Sequence, residues 1–263
     1  MTQGFFQIAV FFAIVVAVVP LLGGYMARVF RDERVFLTPV VAPIERGIYR
    51  ILRVDPTQEQ DWKGYARSLL VFSTLFGVFL FVMLRTQSIH PFNPENFRSG
   101  SADLSFNTAT SFLTNTNWQF YGGETTLSYF SQMAGLAVQN FLSAAVGISV
   151  MVALIRGIAA RGGDGKLGNF YKDITRITFY ILVPMAIVGT LLLVSQGVLQ
   201  TLGGTAGGIA RGPVASQEAI KMLGTNGGGF FNVNSSFPLE NPTAFSNFLE
   251  MFMIICIPAS LPY

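Results

Sequence analysis

Thr114-Asn115-Thr116-Asn117-Trp118-Gln119 and Thr225-Asn226-Gly227-Gly228-Gly229 are two short polar loops. Each follows a helix-like run too short to cross a bilayer, and each precedes a long apolar segment. Irregular backbone survives at membrane depth only where protein or water satisfies its polar groups, so such loops mark a pore or a binding cavity. Two of them in one chain predict a conduction path with a duplicated ion-selectivity filter.

The loops sit in a repeated frame. Placing Asn115-Thr116-Asn117 over Thr225-Asn226-Gly227 also places Phe120-Tyr121 over Phe230-Phe231 and Leu113 over Leu223, at a constant offset of 110 residues. Each copy reads as span, short re-entrant helix, polar loop, span, and such internal repeats are frequent in membrane transport folds. Asp103 is placed to cap the first half-helix, whose Phe106, Ala109, Phe112 and Leu113 pack inward, and Pro213 suits the first turn of its counterpart. Both half-helices end at a loop, so the partial negative charge of their C-terminal carbonyls favours a cation between the loops over an anion. Consecutive carbonyls turned to one side often require positive φ, which glycine reaches freely and asparagine tolerates; Gly227 and Asn117 are assigned that backbone. Carbonyls can replace the hydration shell of a monovalent ion, with the hydroxyls of Thr116 and Thr225 adding oxygen ligands. Neither loop contains a carboxylate, whereas a calcium site usually draws on several.

Blander readings exist for the same residues. Gly227-Gly228-Gly229 alone also reads as a flexible turn, and Asn/Thr clusters as hydrogen bonds joining helices. The run from Gly224 to Gly229 lacks the Lys-Ser/Thr ending of a P-loop, which sets phosphate binding aside. Trp118 and the pairs Phe120-Tyr121 and Phe230-Phe231 read equally as interface aromatics or as a cuff bracing the filter.

Composition agrees with a membrane setting: 51% of the 263 residues are hydrophobic, 12% are charged and 25 are Phe, well outside the usual soluble mixture. Five spans are expected, roughly 5 to 27, 67 to 85, 126 to 155, 176 to 200, and 243 to the end. The first has neither a basic n-region nor a small-residue cleavage site and is expected to be a retained helix. Thirteen of the 17 basic residues fall in two places. Arg28, Arg31, Arg34, Arg46, Arg50, Arg53, Lys63 and Arg67 flank the first connection, and Arg156, Arg161, Lys166, Lys172 and Arg176 flank the exit of the third span. The positive-inside rule makes both connections cytoplasmic, with the N-terminus and both polar loops outside. That topology accounts for the net charge of +3, and no basic stripe with interleaved aromatics points to nucleic acid. The lone Cys256 excludes an intrachain disulfide, and the lone His90 with no Cys/His cluster argues against a structural metal site.

In the first connection Val41, Ile44, Ile48, Ile51 and Leu52 fall near helical spacing, with Glu45, Arg46 and Arg50 on the other face. This predicts an interfacial helix, against the alternative of an unstructured charged loop. Asp55-Pro56 offers a cap and first-turn proline for another short helix carrying Trp62. Gly203-Gly204-Thr205-Ala206-Gly207-Gly208 reads as a flexible outer connector without chemistry. Glu250, inside the last apolar stretch, is expected to be buried against a polar group, with no assigned role in transport.

Thr114 to Gln119, Gly123 to Gly135, Gln139 to Ser143 and Gly212 to Asn232 are long, specific stretches, and in them the chain resembles the potassium-binding A subunit (KdpA) of the bacterial Kdp potassium pumps. The resemblance extends over almost all of the chain and is weakest at 31 to 62 and at the C-terminus. It implies an all-α integral membrane fold of the superfamily of K+ transporters: span, pore helix, span repeats, two of the expected four, after one additional N-terminal helix. The segments are then 1–30, an N-terminal transmembrane helix; 31–66, a cytoplasmic loop with interfacial helices; 67–158, the first repeat; and 159–263, a second repeat incomplete at its end. It implies that Asn115, Thr116, Asn117, Thr225, Asn226 and Gly227 face K+, with Gln119 and Gly228 adjoining them. It further implies multi-pass insertion in the bacterial inner membrane and delivery of K+ to a KdpB-type P-type ATPase subunit, with KdpC-type and KdpF-type subunits completing the complex. The chain has neither a P-loop nor the Asp-Lys-Thr-Gly phosphorylation motif, so ATP hydrolysis is expected of the partner. Pro258 and Pro262 close the last span without a basic flank, and a truncated or frame-shifted product is expected. A Trk-like or Ktr-like channel subunit and a non-conducting membrane remnant are the rival readings.

Overall fold

The computed structural model describes residues 2–160 and 165–263, so the charge assigned to Arg161 lies outside the described residues. The described residues are helical, with no strand beyond isolated bridges. In chain order the helices of ten or more residues are α1 (Thr2–Phe30), α2 (Thr38–Leu52), α3 (Trp62–Arg85), α4 (Ala102–Leu113), α5 (Ser131–Ala159), α6 (Phe170–Ser195), α7 (Val214–Leu223) and α8 (Ala244–Ser260). Four of them, α1, α3, α5 and α6, are long and apolar enough to cross a membrane, and α8 is a shorter apolar helix. At 1.5 Å per residue α4 and α7 reach only about 18 and 15 Å, half of a bilayer core.

Several boundaries correct the sequence reading. The first half-helix is capped by Ser101, whose Oγ accepts from Leu104 N at 3.2 Å, and Asp103 lies in its first turn. Pro213 precedes α7 as its cap residue instead of entering its first turn. The third span starts at Ser131, not near 126, because Leu127 is extended and Ser128 Oγ accepts from Ser131 N at 3.1 Å. The fourth begins at Phe170, where Asn169 Oδ1 accepts from Lys172 N at 3.2 Å, and stops at Ser195 ahead of Gly197 at φ 95°. Hydropathy missed the first turns of α3 and α6 because they carry charge. No short helix separates Asp55 from Trp62: Asp55 Oδ1 takes Thr57 N and Oγ1 at 2.9 and 2.7 Å in a local turn, and Trp62 opens α3. The connector at 203–208 is pinned, with Thr205 N donating to Glu95 Oε1 at 2.7 Å and the Arg211 guanidinium to Gly204 O at 2.9 and 3.0 Å.

The chain divides into two compact units. One comprises Met1–Phe72, Ala145–Pro184 and Cys256–Tyr263. Here α2 forms as expected, with Ile44, Ile51 and Leu52 of its apolar face exposed, while Val41 and, from the charged face, Glu45 are buried together with Tyr49. Glu45 is turned inward because it has partners there. Its carboxylate accepts from Arg176 Nε at 2.8 Å, Tyr49 OH at 2.8 Å and Tyr180 OH at 3.1 Å. Arg176 also donates to Val29 O at 2.9 Å and pairs with Asp32, which Lys172 reaches at 2.8 Å. Burial raises the Asp32 carboxyl, but the hydrogen bond from Lys172 and the neighbouring cations hold it below the usual carboxylate range. A second clamp joins Arg156 to buried Asp173 through two bonds of 2.6 and 2.9 Å, with Tyr65 OH donating to Asp173 at 3.0 Å.

The other unit comprises Ser73–Ala144 and Met185–Ile255. Its core packs Leu80 and Leu84 of α3 against Ala109 and Phe112 of α4 and Leu136 of α5, with Tyr121 and Leu127 from the connection. Glu250 is buried in this unit, as expected, but no polar group pairs with its Oε1 among the described residues.

Asp173→Ala removes the buried partner of a bidentate ion pair and leaves Arg156 with Leu167 O and Tyr65 OH with Ser149 O as their remaining acceptors, so it is expected to destabilise the protein by ~3 kcal/mol. Thermal unfolding in detergent, compared with Asp173→Asn, reads this out; Asn keeps the Tyr65 contact and should lose less.

Candidate functional site

The unit formed by Ser73–Ala144 and Met185–Ile255 contains both polar loops, and their backbones are twins. Thr114 N donates to Thr110 O at 3.1 Å, and Gly224 N to Ile220 O at 2.9 Å. Thr116 and Asn117 N–H then converge on Ser111 O at 2.9 and 3.1 Å, as Asn226 and Gly227 N–H converge on Lys221 O at 2.9 and 3.3 Å. Positive φ falls at matching positions: 61° at Asn115 and 55° at Asn117, 56° at Thr225 and 66° at Gly227. The sequence anticipated Asn117 and Gly227. It did not anticipate Asn115 or Thr225, and a β-branched residue at positive φ is a strained outlier of the kind concentrated at functional sites.

A trans peptide points its carbonyl opposite to the next residue's N–H. With the N–H groups of 116 and 117 aimed at Ser111 O, the carbonyls of Asn115 and Thr116 are turned away from α4, and by the same argument those of Thr225 and Asn226 away from α7. Among the described residues, no protein donor reaches the main-chain carbonyls of 115–117 or 225–228.

The amide side chains do a different job. Asn117 Oδ1 accepts from Asn140 Nδ2 at 2.9 Å, and Asn115 Oδ1 accepts from Ser143 Oγ at 2.8 Å and from Asn226 Nδ2. Asn115 Nδ2 reaches Gly224 O and Thr225 Oγ1, both at 3.4 Å, so one residue touches both loops. Thr116 Oγ1 lies 2.9 Å from Thr114 Oγ1 and is exposed. Gln119 adjoins the second loop: a Cβ built on Gly228, itself at φ 77°, would stand 3.7 Å from Gln119 Oε1. The predicted set is therefore brought together, with Asn115, Asn117 and Asn226 tied by their side chains. Asn140 and Ser143 carry no role in the sequence reading, although Gln139, Asn140 and Ser143 are polar residues inside an apolar span, the signal that could have exposed them. The helix that carries them opens with π-type turns over Ser131–Ala137, a distortion frequent near functional sites.

The aromatic pairs part company. Phe230 and Phe231 are buried, Phe231 stacking on Phe237 with centroids 4.1 Å apart, whereas Trp118 and Phe120 are exposed beside each other. Behind the second loop lie four buried ionisable side chains, Glu218, Lys221, Glu240 and Glu250. Burial pushes the Glu240 carboxyl up to about 7, against the downward pull of the Phe231 and Phe230 N–H groups and of Lys221.

Residues 9–263 match the family model described as potassium-transporting ATPase A subunit. The potassium-transporting ATPase potassium-binding subunit of Methylobacterium radiotolerans is 55% identical over 268 residues, covering 98% of this chain and 47% of that protein. Its namesakes from Rhodospirillum centenum and Koribacter versatilis are 54% and 50% identical, covering 99% of this chain in each case and 47% and 49% of theirs. The chain spans about half the length of the curated relatives it matches.

Thr225→Gly should relieve backbone strain and raise stability by ~1 kcal/mol, whereas Asn140→Leu leaves buried Asn117 Oδ1 without its donor and should lower it by ~2 kcal/mol. Chemical or thermal unfolding in detergent distinguishes the two, and equal signs would show that the loop is not strained at Thr225.

Proposed function

The chain belongs to the potassium-transporting ATPase A subunit family, and from that premise we propose that its twin loops are two segments of a K+ selectivity filter. The observation that carries this reading is the paired positive φ at 115 and 117 and at 225 and 227. Together with the converging N–H groups it supports carbonyls of Asn115, Thr116, Thr225 and Asn226 as ligands that replace the hydration shell of a monovalent cation. The C-terminal ends of α4 and α7 add partial negative charge at the same place. Asn117 and Gly227 complete the ion-facing set by supplying the second turn of each loop, with Gln119 and Gly228 beside it.

On this proposal the segments 67–158 and 159–263 are two copies of one span, pore helix, span repeat. The basic connections lie in the cytoplasm and the N-terminus and filter lie outside the inner membrane, in keeping with the positive-inside rule. The chain binds extracellular K+ and hands it to a P-type ATPase subunit of the KdpB type, assembled with KdpC-type and KdpF-type subunits, and that partner hydrolyses ATP. The relatives' description as potassium-binding subunits supports the ion, and the absence of carboxylates from the loops supports a monovalent one.

The test is K+-dependent ATPase activity of the assembled pump carrying this subunit at the length of its relatives. Gly227→Ala and Gly227→Val restrict positive φ at a position whose surroundings are open to a Cβ, so their effect isolates backbone conformation from crowding. Half-saturating K+ should rise by about tenfold for Ala and more for Val, with weaker discrimination against Rb+ and NH4+. Unchanged affinity and ion preference in both variants would remove Gly227 from the filter.

A further inference from the structure

We propose that Lys221 and Glu240 are positioning residues that hold the descending limb of the second loop, from Gly229 to Phe231, and thereby set that loop's ion preference. The inference rests on the filter reading above and adds the groups that fix its backbone. Lys221 is fully buried on the last turn of α7, and its Nζ donates to Gly229 O at 2.8 Å while its ammonium lies 5.5 Å from the Phe112 ring centroid. Glu240 is fully buried, and its Oε1 accepts from Phe230 N and from Phe231 N, the latter at 3.2 Å. One residue therefore grips the limb by a carbonyl and the other by two N–H groups immediately after it. Gly229 is required by space as well: a Cβ there would run into the Glu240 carboxylate.

The first copy has the same device in neutral form. Ser111 stands 110 positions before Lys221, and its Oγ donates to Trp118 O at 3.2 Å, on the descending limb of the first loop. In both copies one half-helix residue receives two loop N–H groups on its main-chain carbonyl and returns a side-chain donor to a carbonyl beyond the turn. A Lys in the second copy is the costlier choice, because a buried ammonium requires acid partners. Glu240 and Glu218 are buried acidic residues of the same unit. Glu218 Oε1 is already occupied by Ser235 Oγ at 2.5 Å, and Glu250, also buried in this unit, leaves Oε1 without a partner. A residue needed only to fill volume would not require this arrangement.

The experiment uses the assembled pump with the subunit at the length of its relatives, measuring half-saturating K+, maximal rate and Rb+ discrimination of the K+-stimulated ATPase. Lys221→Met keeps the apolar stem and removes the donor; half-saturating K+ should rise by about tenfold with the maximal rate nearly unchanged. Lys221→Arg, which retains a charged donor, should recover part of the affinity. Ser111→Ala should move half-saturation in the same direction by a smaller factor. If unpaired charge prevents Lys221→Met from assembling, the neutral double variant Lys221→Met with Glu240→Gln decides. Raised half-saturation in that double variant supports the positioning role; a K+ response like that of the unmodified pump shows that the pair only cancels charge and overturns it. A lower maximal rate at unchanged half-saturation and unchanged Rb+ discrimination would also overturn it. An unmodified pump with no K+ dependence would sink the filter reading itself, which separates that failure from this one.

Discussion

Two successive N–H groups converging on one helix carbonyl is the interaction on which the site depends. In water a half-helix could leave its last carbonyls to solvent; inside a membrane each unsatisfied group costs several kcal/mol. The loops solve this by folding back, so that Ser111 O and Lys221 O each receive two donors. That return requires the chain to reverse hand twice within three residues, which places positive φ at 115 and 117 and at 225 and 227. Because each peptide is trans, the same reversal turns the intervening carbonyls away from the half-helix. Satisfying the helix end and leaving those oxygens free of protein donors are one geometric event.

The two copies obey this constraint with different chemistry. At the second turn the first copy uses Asn117, anchored by Asn140, and the second uses Gly227, which needs no anchor. On the descending limb the first copy uses a serine hydroxyl and the second a buried ammonium. The duplicated sequence thus preserves the backbone shape and lets the side chains that enforce it diverge. Where glycine supplies the conformation without steric cost, Lys221 Nζ holds the carbonyl two residues further on.

Much of this was legible in the sequence because it is local. Helix lengths, apolar periodicity and the repeat offset of 110 depend on neighbouring residues, and they led to the two half-helices and their loops. Positive φ at Asn117 and Gly227 was legible because asparagine and glycine advertise it. Thr225 hides the same conformation, since a β-branched side chain argues against positive φ and only the return of the Asn226 and Gly227 N–H groups to Lys221 O imposes it. Asn140 and Ser143 show no role in the sequence, because their partners lie more than twenty residues away. The start of α6 was misplaced for a related reason: a hydropathy window rejects Lys172, Asp173 and Arg176 without knowing that Asp173 meets Arg156 and Arg176 meets Glu45.

Those partners also explain why one charged residue of α2 is buried. Amphipathic spacing assigns the charged side to water, and for Arg46 and Arg50 the assignment follows from ordinary solvation. Glu45 departs from it because Arg176, Tyr49 and Tyr180 together offer three donors that water would otherwise have to replace. Once that carboxylate is satisfied inside, helical geometry carries Val41 and Tyr49 inward with it, one turn to either side, and leaves Val40, Ile44, Ile51 and Leu52 outward. An outward apolar stripe on a helix that also carries Arg46 and Arg50 is the composition of a surface that meets lipid headgroups and acyl chains together. The polar anchor, together with the hydrophobic periodicity, therefore sets which side of α2 packs against the protein.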